Sequence, residues 1–184
     1  YHGLQASAVK RFNQGLSFQG NYTWSRAMDY QSSLAETKTQ NPFNRAADYS
    51  RSSWDLRHVF QFAYVYELPM GRGRRFGGNM HKALDYAIGG WSLEGIARFQ
   101  SGGPVNITIG QDRANIGSST QRPDALRNPN TGPRTPEQWF DTSAFQMPAI
   151  YTYGSAGAYL VDSDGRHNFD FSIAKSFRIA EQHA

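Results

Sequence analysis

The chain has 184 residues, a formal net charge of +4, a pI near 9.4 and no cysteine, so disulfide scaffolds, zinc–thiolate sites and cysteine nucleophiles are excluded. Hydrophobic residues make up 39% at a mean hydropathy of -0.64, and no run of about 18 apolar residues offers a membrane-spanning helix. With 4 Trp, 10 Tyr, 12 Phe and 18 Gly, the composition favours strands and turns in one domain. Low hydropathy does not exclude a membrane, because a barrel strand crosses in roughly 9–11 residues with every second one apolar.

Five stretches alternate with a period of two. The first spans 3–12, with Leu4, Ala6, Ala8 and Phe12 on one face and Gln5, Ser7 and Arg11 on the other. Val9 and Lys10 interrupt it, and Asn13-Gln14-Gly15 predicts a short hairpin turn. The second, LSFQGNYTWS at 16–25, sets Leu16, Phe18, Gly20, Tyr22 and Trp24 against small polar groups. A long polar segment follows, 26–56. The third strand, 57–68, carries His58, Phe60, Phe62, Tyr64, Tyr66 and Leu68 on one face, and Pro69 ends it. The connection 70–90 holds GRGRRFGG and HKALDYAIGG, with a turn or two of helix expected. The fourth strand runs 91–109, from Trp91, Leu93, Gly95, Ala97 and Phe99 into Val105, Ile107 and Ile109, bent at Gly102-Gly103-Pro104. Residues 110–167 are rich in Gly, Pro, Asn, Asp and Thr, and a connection that long is usually functional or mobile. The fifth strand, 168–178, places Phe169, Phe171, Ile173 and Phe177 on one face, with Lys175 on that same side.

The connections run short, long, medium and very long. Outer-membrane barrels have short periplasmic turns and long outer loops. Placing 13–15, 69–90 and 179 onward on the periplasmic side puts 26–56 and 110–167 outside. Phe12, Tyr66, Trp91 and Phe177 then form one lipid-facing aromatic belt, and Trp24, Phe60 and Phe99 the other. Asn21, Thr23, Gln61, Glu67, Glu94, Arg98 and Gln100 would line a lumen. The expected fold is all-β, an antiparallel up-and-down meander of about five long strands from a large transmembrane barrel. Residues 1–184 form a single, partial barrel domain. The alternative is a soluble secreted β domain that binds carbohydrate or a protein partner, its aromatics covered by a second sheet. Both ends read as interior sequence, so the chain is expected to be a piece of something longer.

Catalytic signals are weak. None of His2, His58, His81, His167 and His183 has the spacing of a zinc-protease helix. DSDG at 162–165 resembles the start of a calcium loop, but the twelfth position from Asp162 is Ile173, so an EF-hand is ruled out. MGRGRRFGG at 70–78 misses the dinucleotide-loop spacing, and Arg72, Arg74 and Arg75 read as a basic turn rather than a nucleic-acid site. There is no G-x-S-x-G. No enzyme, metal site, cofactor or nucleic-acid partner is expected. Ligand contact falls to the loop aromatics Trp139, Phe140, Tyr151, Tyr153 and Tyr159, which could also pack the loop on itself.

Five stretches carry a family resemblance: WDLRHVFQFAYVYELPMGRG (54–73), IGGWSLEGIARFQSGGPVNI (88–107), GQDRANIGSSTQRPD (110–124), RTPEQWFDTSAFQMP (134–148) and FDFSIAKSFRI (169–179). The chain resembles the C-terminal barrel of TonB-dependent receptors, in the branch with a carboxypeptidase-regulatory-like domain before the plug. The resemblance implies part of a barrel of about 22 strands in the outer membrane of a Gram-negative-type cell. It implies transport of a bulky ligand (oligosaccharide, peptide or chelate). The implied partners are outer-membrane lipid and the TonB complex, the latter reached through N-terminal parts that this sequence lacks.

Overall fold

The computed structural model describes residues 1–33 and 38–177. Position 178 of the fifth expected strand, and the turn from 179 onward, lie outside the described residues. In chain order the elements are β1 (His2–Asn13), β2 (Leu16–Arg26), β3 (Met28–Asp29), β4 (Ser50–Arg51), β5 (His58–Glu67), α1 (Lys82–Ile88), β6 (Trp91–Gln100), β7 (Pro104–Val105), β8 (Asp124–Ala125), β9 (Phe145–Gln146), β10 (Val161–Asp162) and β11 (Arg166–Lys175). The five long strands form one sheet in the order β1-β2-β5-β6-β11, a meander with no crossover.

Hydrogen bonds at the strand ends fix an antiparallel register. Glu67 N–H donates to Gly15 O at 2.7 Å and Ser25 N–H to Arg57 O at 3.0 Å, so the partner recedes ten residues while the strand advances ten. Leu68 N–H to Trp91 O (2.8 Å) and Ser101 N–H to His58 O (2.9 Å) keep step in the same way. So do Ser176 N–H to Gly90 O and Ser163 N–H to Gly103 O, both 2.8 Å. A one-residue slip would throw every side chain to the wrong face. Here the apolar positions of β2, β5, β6 and β11 stay on one side.

The β1–β2 turn departs from the sequence reading. Gln14 and Gly15 both have positive φ, 53° and 82°, which defines a two-residue type I′ turn. Asn13 then faces Leu16, and Phe12 faces Ser17. Phe12 therefore sits on the polar side of β2, opposite to the belt position that its parity had suggested.

The fourth strand is also shorter than 91–109. It ends at Gln100, resumes as β7 and gives way after Val105 to irregular chain. Gly102 lets the neighbouring chain come close at the break, since a Cβ there would collide with Ser163 O. Past the break the register holds, with Val105 opposite Val161 and Pro104 opposite Asp162.

The chain divides into two compact units. One holds Gln5–Thr23, Val59–Phe99 and the chain from His167, which is most of the five-stranded sheet together with α1. Helix α1 starts at His81, whose Nδ1 accepts from Ala83 N–H at 3.3 Å, and Asp85 Oδ1 pins the preceding turn through Arg72 N–H at 2.6 Å. The other unit holds Tyr1–Leu4, Trp24–His58 and Gln100–Arg166. It contains the two long connections, which are built rather than structureless. The β3–β4 pair, the β7–β10 pair, the β8–β9 pair and three short 3-10 turns organise them.

Candidate functional site

The register assembles one face of the sheet row by row. Tyr22, Phe60, Phe99 and His167 lie side by side, with ring centroids 6.3 Å apart for Phe60–Phe99 and 5.5 Å for Phe99–His167. The next rows are Gly20–Phe62–Ala97–Phe169, Phe18–Tyr64–Gly95–Phe171 and Leu16–Tyr66–Leu93–Ile173. Small residues face large ones for a reason: a Cβ on Gly95 would come within 2.7 Å of the Tyr64 ring. This face is open. Phe169 is 58% exposed, Phe171 51% and Ile173 57%.

The row that ends this face contains Trp91 and Lys175. The Trp91 indole N–H donates to Ala87 O at 3.0 Å, and Lys175 Nζ donates to the same carbonyl at 2.7 Å. Lys175 Nζ also lies 4.6 Å from the Trp91 ring centroid and 5.3 Å from that of Phe177. An ammonium held between two rings while its stem covers apolar surface is the arrangement of a headgroup-level anchor. Eight residues separate the Trp91 row from the Phe99 row. That is roughly 27 Å along the strand, or about 19–22 Å at barrel tilt. The apolar band of an outer-membrane barrel is about 25 Å tall.

The opposite face is polar. Asn21, Gln61, Arg98 and Asn168 form one row by the same register, and Asn168 donates to Asp170 Oδ2 at 2.9 Å. Glu67 pairs with Arg74 at 2.7 Å, and Glu94 accepts from Ser92 Oγ at 3.4 Å. Thr23 and Gln100 are half-buried.

The loop aromatics are mostly committed to packing. The Trp139 indole N–H donates to Asp162 O at 2.7 Å, and the Arg134 guanidinium stacks on its ring at 5.2 Å. Phe140 meets Phe145 edge-on at 6.0 Å. Tyr159 is buried, with Lys38 Nζ 5.8 Å from its ring, so it offers nothing to a ligand. Tyr153 is half-buried, and Tyr151 stands 75% exposed. Asp162 of the DSDG stretch has its carboxylate paired with Arg51. In the basic turn, Arg74 is paired with Glu67 and Arg75 lies against the Phe76 ring at 5.5 Å.

Sequence reasoning missed the buried polar framework under these loops. Arg122 is 2% exposed. Its guanidinium donates to Asp48 Oδ1 and Ala156 O at 2.8 Å each and to Lys38 O at 2.7 Å. Its own amide donates to Gln40 Oε1 at 2.7 Å, and Gln40 Nε2 reaches Gly154 O at 2.9 Å. Lys38 is equally enclosed, its ammonium bonded to Asp29 Oδ1 at 2.5 Å and to the carbonyls of Asp29, Ser50 and Arg51. Gly154 belongs to the same framework, since a Cβ there would strike Arg122 O.

Charges in this unit follow their neighbours. Burial pushes the Asp29 carboxyl up, but Lys38, Ser52 and Ser32 outweigh it and hold the group below its ordinary value. Asp112 is lowered by the amides of Ile116 and Gly117, and Asp141 by Ser143 and Arg127. Burial works against the Arg51 charge, yet Asp162 and Asp55 carry its pKa upward.

A family profile described as an outer membrane beta barrel domain matches residues 1–184. The chain belongs to that family. Neither the curated proteins nor the solved structures contain a match. The protein is therefore a membrane-embedded β-barrel chain of the outer membrane, and the soluble secreted alternative falls. That membership agrees with an open aromatic face on the sheet.

Proposed function

We propose that this chain is a wall segment and outer-loop set of a TonB-dependent receptor that takes up a bulky ligand and performs no catalysis. The observation that carries the reading is the separation of the two sheet faces. Tyr22, Phe60, Phe99 and the rows below them face lipid, while Asn21, Gln61, Arg98 and Asn168 face a watery lumen. Two long loops with their own framework suit capture of an oligosaccharide, peptide or chelate better than a bare pore does. The remaining partners are lipid and the TonB complex.

Cysteine labelling tests the faces. In the full-length protein in outer membranes, Gln61→Cys should react with a water-soluble maleimide, and Phe62→Cys should not. Equal labelling would overturn the assignment. A second measurement tests the energy source. The full-length protein should retain the periplasmic domain of TonB on an affinity column, and failure to do so would remove energised uptake while leaving the wall intact.

A further inference from the structure

A cavity of about 310 Å³ opens among Arg51, Arg57, His58, Ser101, Arg134 and Ser163, with Asp162 in its lining. Three of these residues are arginines. Arg51 is neutralised twice, by Asp162 and by Asp55 at 2.9 Å. The other two are not. Among the described residues neither Arg57 nor Arg134 has a carboxylate partner, and the Nε of Arg57 is buried without any acceptor. Arg134 spends two of its donors on backbone, Asp162 O at 3.1 Å and Asn130 O at 3.3 Å, and lies over Trp139.

A buried guanidinium donor without an acceptor is costly, and an oxyanion is the group that would satisfy it. The lining adds hydroxyls. Ser101 Oγ accepts from His58 N–H at 3.1 Å, which leaves its own O–H to donate. The volume sits at the low end of the roughly 300–1,000 Å³ of small-molecule sites, enough for one small unit and not for a chain.

We propose that this cavity binds a single carboxylate-bearing, hydroxylated unit the size of one sugar acid. The carboxylate meets Arg57 and Arg134, and the hydroxyls meet the serines. The inference is independent of energised uptake, since binding needs neither TonB nor a proton gradient.

The test is calorimetry on the full-length protein in detergent, titrated with galacturonate, galactose and inorganic phosphate. Galacturonate should bind, more weakly as salt rises, and galactose should not. Arg57→Gln and Arg134→Gln should each weaken binding at least tenfold, and Arg72→Gln, in the basic turn and outside the cavity lining, should leave it unchanged. Equal binding of galactose, or binding of phosphate without galacturonate, would overturn the assignment, as would no binding at all. If Arg57→Gln fails to fold, the exposed Arg134 decides alone, and full affinity in Arg134→Gln sinks the proposal.

Discussion

The two units of the molecule follow opposite rules. The sheet unit turns Phe169, Phe171 and Ile173 outward, and the loop unit encloses Arg122 and Lys38. A water-soluble globule does the reverse on both counts. The solvents explain the inversion. A sheet face in hydrocarbon has no reason to hide its rings, and its backbone groups are satisfied by the strand ladder. The loops stand in water with little apolar material of their own. They are held by long cationic side chains that donate to carbonyls gathered from distant parts of the chain. Exposed rings thus characterise one unit, and buried, hydrogen-bonded charge the other.

The largest way to break this contrast is Arg122→Met. It leaves Asp48 buried without its cation and should cost the loop unit about 3–5 kcal/mol. Protease accessibility of residues 38–57 and 121–160, followed in urea, should rise while the sheet stays intact. Simultaneous loss of the sheet would show that the units do not respond separately. Next comes Phe171→Arg, which puts a charge in the middle of the aromatic face and should cost about 2–4 kcal/mol in lipid. Reversible unfolding in vesicles would report it, and a neutral result would mean that this face does not meet hydrocarbon.

Acid should weaken the loop unit. Asp29 is held below its ordinary value, so its contribution is present above the unfolded pKa and is lost as pH falls through the folded one. Loop protease resistance should drop below about pH 4, and Asp29→Asn should flatten that dependence. The smallest effect expected is a gain. Gln14 occupies a left-handed position that Asn tolerates better, so Gln14→Asn should raise sheet stability by a few tenths of a kcal/mol, measured as a shift in the urea midpoint.

The sheet was largely legible because a period of two is a local signal. Leu16 to Trp24 and His58 to Tyr66 announce their faces without reference to any partner. Phe12 was misread because parity was carried through a turn whose two positive φ values reverse it. The run to Ile109 was read as strand because alternation continues past Gly102, whereas the pairing with β10 stops at Val105 and the alternation of Val105, Ile107 and Ile109 does not mark that end. The loop framework was illegible for a related reason. Arg122 lies inside a stretch that supports the family resemblance, but its acceptors are 84 and 74 residues away. Nothing about a lone arginine in a polar segment states that it will be buried. Arg57 was hidden too, because at a strand end an arginine reads as solvated.

One consequence follows from the single guanidinium that Arg122 places among the carbonyls of residues 38 and 156 and the carboxylate of residue 48. The two long outer segments share a fastener, so they form one interchangeable part rather than two. A graft that replaces either one alone should leave a buried donor or acceptor stranded. A graft that moves both together carries its own lock. Any redesign of these segments should therefore exchange the pair.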